Sequence, residues 1–213
     1  MGQLRSLRRK GGAEGATGVT KPPFVPAPPP PFVVFALPRS RTAWLAHWLC
    51  APSHPVGHDI AIECARSDEF LQSFVSGMRG TVETGAIEGW RAIAAALPQA
   101  RFLTVRRPRE EVATSLAKFG LNADEELTRR DVMLGEIEAA GLAERVEFTD
   151  LLQQGCRRWI WQYLLPDVPF DPVRDADFAR INIQVNMPER LAQLARRGAY
   201  AATLREDLRR ATG

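Results

Sequence analysis

Two arginines and two hydroxyl side chains stand together at Ala36-Leu37-Pro38-Arg39-Ser40-Arg41-Thr42-Ala43-Trp44-Leu45, overlapping the end of the apolar residues 32–37. A turn from a buried strand into a helix presents unpaired N–H groups, and the helix dipole adds partial positive charge at the same end. A phosphate or sulfate binds there without further design, and guanidinium forks reinforce the attraction. Magnesium-nucleotide hydrolases use a different loop, G-x-x-x-x-G-K-[ST], in which lysine reaches the outer phosphates and the hydroxyl holds the metal. Laid on that pattern from Ala36, the chain offers Ala36, Arg41, Thr42 and Ala43 at the four specified positions. Both glycines, the lysine and the metal-binding hydroxyl are missing, which argues against hydrolysis of a magnesium nucleotide.

Three further segments carry chemistry. Phe102-Leu103-Thr104-Val105 runs into Arg106-Arg107-Pro108-Arg109-Glu110-Glu111-Val112-Ala113-Thr114-Ser115-Leu116, which reads as a strand, an arginine-rich turn and a helix bearing hydroxyls. A guanidinium fork there supplies paired donors to phosphate oxygens. Gly80-Thr81-Val82-Glu83-Thr84-Gly85 places an acid and a hydroxyl near the expected carboxyl end of another strand, where ligands of open parallel sheets lie. His54, His58, Asp59 and Glu63 follow the first helix. Taking a proton from an attacking hydroxyl needs a histidine or carboxylate within hydrogen-bond reach; His58-Asp59 and Glu83 are the competing candidates. His47, inside the helix, reads as structural.

At the first loop the chain resembles the sulfotransferase family, whose strand-loop-helix motif reads approximately P-[KR]-S-G-T-T-x-L and binds the 5'-phosphosulfate of 3'-phosphoadenosine 5'-phosphosulfate (PAPS). Pro38, Arg39, Ser40, Thr42 and Leu45 match, while Arg41 stands at the glycine and Ala43 at the second threonine. The second segment resembles the family's R-D-P-R-x-x-x-x-S signature, with Arg107 at the usual aspartate. Short bacterial and phage-like members look similar around Glu83-Thr84 and His58-Asp59. The resemblance implies that Arg39, Ser40, Arg41 and Thr42 hold the phosphosulfate and that Arg106 with Ser115, or with its neighbour Thr114, clamps the 3'-phosphate. Arg39, His58, Asp59 and Glu83 become the catalytic candidates, with Arg41 placed to neutralise the departing bridging oxygen.

The implied reaction moves a sulfuryl group from PAPS, as co-substrate, to the hydroxyl or amine of an unidentified small or macromolecular acceptor by in-line displacement, with no metal. A catalytically silent phosphonucleotide-binding or assembly protein on the same scaffold is the alternative. A degenerate phosphate-loop kinase is a further one, against which the missing lysine counts.

These segments need a frame that brings strand ends together. The run at 32–37 suits a strand buried on both faces of a parallel sheet. Helical spacing follows over 42–49 and from Ser67 to Met78; a short strand is expected at 80–83, a helix from Trp90 to Leu97 and a strand at 101–105. A helix opens at Pro108 and turns Val112, Leu116 and Phe119 inward. A helix over 125–140, a strand over 145–148, a helix capped by Thr149 or Asp150 and a closing helix over 186–210 complete the pattern. Trp90, Trp159 and Trp161 suit either core or acceptor wall. Strands alternating with helices predict an α/β fold: three layers, α/β/α, around a central parallel sheet, of the phosphate-loop nucleoside triphosphate hydrolase-like, sulfotransferase type.

Composition bounds the rest. The chain has 213 residues and a net charge of +3. Residues 1–31 carry +4, leaving −1 for residues 32–213, so the basic character belongs to the leading segment and does not imply a nucleic-acid partner. Seven of 16 prolines lie in that segment, which reads as a disordered tail before one sulfotransferase-like domain at 32–213. Arginine outnumbers lysine 25 to 3, with Lys118 the one lysine beyond the tail. Cys50, Cys64 and Cys156 form no C-x-x-C pair, which suits a reducing, cytoplasmic setting. No apolar run reaches the length of a membrane span and no signal-peptide pattern is seen. Oligomeric state is not readable.

Overall fold

The structure is a computed structural model that describes residues 29–64 and 67–181. β1 (Phe32–Ala36) begins where the proline-dense stretch ends, and all five of its residues are buried. Phe32, Val34 and Ala36 enter one core, while Val33 and Phe35 enter the other with Leu37, as the two-residue period of a strand covered on both faces dictates. β2 (Val56–His58), β3 (Gly80–Glu83), β4 (Arg101–Arg106) and β5 (Ala143–Glu147) complete a sheet in the order β2-β3-β1-β4-β5. All four pairings are parallel. Phe32 sits beside Gly80 in this register, and a Cβ on Gly80 would lie 2.4 Å from the Phe32 ring. Only glycine lets that ring lie across the neighbouring strand.

The helices in chain order are α1 (Thr42–Leu49), α2 (Ile60–Glu63), α3 (Ser67–Val75), α4 (Trp90–Ala96), α5 (Arg109–Ala117), α6 (Asp124–Ala139), α7 (Gln154–Leu164) and α8 (Pro172–Arg180). One face of the sheet is covered by α1 and α7 through Trp44, Leu45, Trp48, Ile160, Trp161 and Leu164. The other is covered by α2 to α6, with Ala61, Phe70, Ile93, Val112, Leu127 and Leu134. The chain is therefore an α/β protein with helices on both faces of a parallel sheet. The helix leaving β1 goes to one face and those leaving β3 and β4 go to the other. A crevice consequently opens above the carboxyl end of β1, the place where such sheets bind ligands.

Most expected elements stand within a few residues of their predicted bounds; the departures have local causes. α3 stops at Val75, because Gly77 (φ 99°) turns the chain back before β3. Thr149 and Asp150 do not cap a helix. They lie in a 3₁₀ turn (Phe148–Leu152), and α7 starts after Gln153. Phe119, expected inward, is 40% exposed, since α5 ends before it at Ala117. β2, α2 and α8 carry too few residues or too little apolar period to stand out in the sequence. The expected closing helix over 186–210 and the tail over 1–28 lie outside the described residues.

α8 anchors the far end of α1. Pro172 follows Asp171, whose carboxylate accepts from the Val173 and Arg174 N–H groups, an N-cap that starts the helix. Arg174 then donates to the carbonyls of His47, Trp48 and Cys50. A cation on the last carbonyls of a helix satisfies orphan acceptors and complements the dipole. Trp44 Nε1 donates to Phe178 O at 2.8 Å. Beneath α8, Arg157 holds buried Asp175 through two hydrogen bonds of 2.7 and 2.8 Å.

Candidate functional site: a strand-end anion site

Between β1 and α1 the backbone takes an unusual path. Arg39 (φ 65°) and Arg41 (φ 59°) both lie in the left-handed region, flanking Ser40. Among the described residues the other non-glycine at positive φ is Asp59 (φ 52°), at the end of β2. Each such residue costs about 1–2 kcal/mol relative to right-handed backbone. Strain of this kind persists where the surrounding structure over-determines it, characteristically at ligand sites. Here all three instances fall within one strand-end region. Arg41 adopts a left-handed geometry that a glycine would take freely.

Ser40 is fully buried, and among the described residues its Oγ has no hydrogen-bond partner. A buried hydroxyl without a partner costs about 1–3 kcal/mol. At the amino end of α1, beside two arginines, its natural partner is an anion. Thr42, the first helical residue, is also buried. The arginine side chains leave the loop in different directions: Arg39 reaches α5 while Arg41 lies over the Trp44 ring at 5.8 Å.

His58 at the end of β2 reaches this loop, and two carboxylates tie the ends of β2 and β3 to each other. His58 Nε2 lies 3.1 Å from Thr42 Oγ1 and 3.5 Å from Asp59 Oδ2. Asp59 Oδ1 accepts from the Thr84 amide at 2.6 Å and its hydroxyl at 2.9 Å. Glu83 reciprocates: it accepts from the Ile60 amide at 2.9 Å, the Thr81 hydroxyl at 2.6 Å and the Ala61 amide at 3.4 Å. Each strand end thus carries the acid that caps the other. Burial, and then the neighbouring Asp59, holds the Glu83 carboxyl well above the ordinary carboxylate range. Glu83 and Asp59 are engaged by the frame and turn few oxygens towards a substrate.

The second signature arrives from the other side. Arg39 Nε donates to Ser115 Oγ at 3.1 Å, and the Arg39 guanidinium lies 5.0 Å from the centre of the Phe119 ring. Thr114 faces away, its hydroxyl returned to the Glu110 carbonyl. Arg107 donates to the Arg39 carbonyl, is braced by Glu111, and stacks over Phe148 at 4.3 Å. Arg106 points to the opposite face, where it pairs with Asp131 at 2.9 Å and approaches Glu138 at 3.7 Å. A cleft of about 530 Å³ opens above β4 and β5, lined by Arg106, Arg107, Arg109 and Arg145 with Thr128 and Asp131.

The structure therefore brings together the first loop, His58-Asp59, Glu83-Thr84 and Ser115. It separates Arg106 and Thr114 from direct contact with the loop. Arg107 and Phe119 are the additions that motif reading passed over. Strand alternation held the signal for Arg107: Leu103 and Val105 face the α1 side, and continuing the two-residue period takes Arg107 there and Arg106 to the α6 side. His54, one of the histidines near the loop in sequence, is buried edge-on against Trp161, and burial lowers its pKa. The side chain of Glu63 lies outside the described residues.

What the fold and site define is a parallel α/β protein with a basic, strained strand-loop-helix turn at the carboxyl end of its central strand. No protein-family model matches the chain, and no curated protein matches it. Among the described residues no group of three or more His, Cys, Asp or Glu is placed to hold a metal ion, and no helix is long and apolar enough to cross a membrane.

Proposed function

We propose that the chain binds a 3'-phosphorylated adenosine nucleotide across the ends of β1 and β4 and transfers a sulfuryl group from PAPS to an acceptor hydroxyl or amine. One observation carries this reading. The two segments that resemble sulfotransferase signatures, 76 residues apart at their point of contact, meet where Arg39 Nε donates to Ser115 Oγ at 3.1 Å. The turn at Arg39, Ser40, Arg41 and Thr42 receives the 5'-phosphosulfate, with Ser40 Oγ supplying the donor that lacks a partner. Arg107, just before α5, and Ser115, on α5, receive the 3'-phosphate, with Arg106 behind them on the wall of the cleft. The scaffold on this reading is of the phosphate-loop, sulfotransferase type.

In the reaction the acceptor oxygen or nitrogen bonds to sulfur as the bond from sulfur to the bridging phosphate oxygen breaks. That oxygen keeps the electron pair and leaves on adenosine 3',5'-bisphosphate, and the proton of the acceptor passes to solvent. Alignment and charge stabilisation supply most of the catalysis in group transfers of this kind. Arg39 and Arg41 stand where the leaving charge develops. One observation favours binding without turnover: Asp59 and Glu83 are both held by backbone amides and hydroxyls. Formation of the bisphosphate from PAPS separates the two versions.

Calorimetric titration with adenosine 3',5'-bisphosphate and with magnesium ATP tests the assignment. The bisphosphate is expected to bind at least roughly tenfold more tightly, a difference of about 1.4 kcal/mol. Tighter binding of magnesium ATP, or binding of neither, contradicts it.

A further inference from the structure

His58, a candidate base by its residue type, sits where a proton and an anion would influence each other. Its Nε2 faces both Thr42 Oγ1 at 3.1 Å and Asp59 Oδ2 at 3.5 Å. A threonine hydroxyl has one proton to give. With Nε2 bare, Thr42 gives that proton to the imidazole. With Nε2 protonated, the ring N–H donates into the oxygens of Thr42 and Asp59, and the Thr42 proton turns to the loop. Beside it lies Ser40 Oγ, fully buried and without a partner among the described residues, so two hydroxyls of the turn become donors together.

The charges around the ring set the balance. Asp59 on its own segment, fixed by Thr84, favours the charged ring. Glu83 at the end of β3 stands behind Asp59 and takes part in the same frame. Arg39 and Arg41, in the turn that carries Thr42, oppose a further positive charge until an anion neutralises them. Filling the turn therefore favours protonation of His58, and by the reciprocity of linkage protonation favours filling.

We propose that His58 is a positioning residue of the anion site: an anion bound at Ser40 and Thr42 is accompanied by uptake of a proton on His58 Nε2, so that affinity rises as pH falls. The proton comes from solvent and joins the nitrogen lone pair, and no bond to the anion forms. This inference rests on the anion-binding reading of the turn. It also removes His58 from the groups that accept the acceptor's proton, because the ring is already charged when the nucleotide is in place.

Sulfate is the probe, since it carries no titratable proton near neutrality. Its binding to the full chain is measured by calorimetry from about pH 6 to 9, in buffers of differing ionisation enthalpy. Wild type is expected to take up a fraction of a proton, up to one per sulfate, and to lose roughly five- to tenfold in affinity across the range, within the span of ordinary site coupling. His58→Gln keeps an amide donor near the place of Nε2; it is expected to bind sulfate without proton uptake and with less than about twofold pH dependence. Asp59→Asn supplies a second readout should that variant not fold, because loss of the carboxylate moves the uptake to lower pH. Sulfate binding that is flat with pH, or uptake undiminished in His58→Gln, overturns the proposal alone. Failure of sulfate and of the bisphosphate to bind at any pH overturns the loop reading with it.

Discussion

Glu83 shows how a residue type found by its chemistry is given its role by its neighbours. As an acid at a strand end it qualifies for proton transfer, but the amides of Ile60 and Ala61 and the Thr81 hydroxyl occupy its oxygens. Its carboxyl titrates above the ordinary 4.5 because burial and Asp59 disfavour the charge. An acid with a raised folded-state pKa binds its proton more tightly when folded, so its stabilising contribution is complete at low pH and declines as pH rises above 4.5. Urea unfolding of wild type and Glu83→Gln from about pH 4 to 8 should show stability moving in favour of the glutamine variant as pH rises. A pH-independent difference would contradict a titrating Glu83. Arg39, Ser40, Thr42 and Ser115 were legible from the sequence, because residues flanking a strand-to-helix turn keep their relation to the backbone. Strand alternation separates Arg106 from Arg107, but which of the two faces the loop was not fixed by it alone. That depends on the face to which each successive strand residue points, a choice made by packing against α6 and Phe148.

At the scale of elements, the site depends on parts that carry none of its chemistry. α1 presents the turn at its amino end; α8 holds its carboxyl end through Arg174 and accepts from Trp44, in the first turn of α1, at the Phe178 carbonyl. α8 in turn is fastened by the buried Arg157–Asp175 pair. Removing one partner of a buried ion pair leaves an uncompensated charge and costs about 3–5 kcal/mol. Asp175→Ala is expected to lose that much stability in urea unfolding at neutral pH; a loss under about 1 kcal/mol would mean that α8 is not held by this pair. Long apolar elements such as β1, α1 and β4 were visible in sequence because both faces of a buried strand or a full helical stripe must be apolar. β2 was invisible: Val56-Gly57-His58 becomes a strand only by pairing with Gly80, Thr81 and Val82. α8 was invisible because it has no buried apolar stripe and its anchor is a pair of charges.

At the scale of the whole molecule, the proposed site lies where the helical connections switch from one face of the sheet to the other. Helices leave β1 on one face and β3 and β4 on the other, so the strand ends converge on a crevice that no single element could form. Residues 32–213 carry a formal charge of −1. On the proposed reading, affinity for an anion comes from local arrangement, namely two left-handed arginines, a buried hydroxyl and a helix start, and not from a basic surface field. The scarcity of lysine has its consequence here: arginine supplies the cations at the turn and at the start of α5, which suits paired donation to phosphate oxygens. The most direct test asks whether two phosphates are read at two strand ends. Affinities of wild type, Arg107→Ala and Ser115→Ala are measured for adenosine 3',5'-bisphosphate and for adenosine 5'-monophosphate. Either substitution should weaken the bisphosphate by roughly ten- to a hundredfold, the worth of charge-assisted hydrogen bonds of about 1.5–3 kcal/mol, while leaving the monophosphate within about twofold. Equal weakening of both nucleotides, or of neither, would contradict a 3'-phosphate site at Arg107 and Ser115.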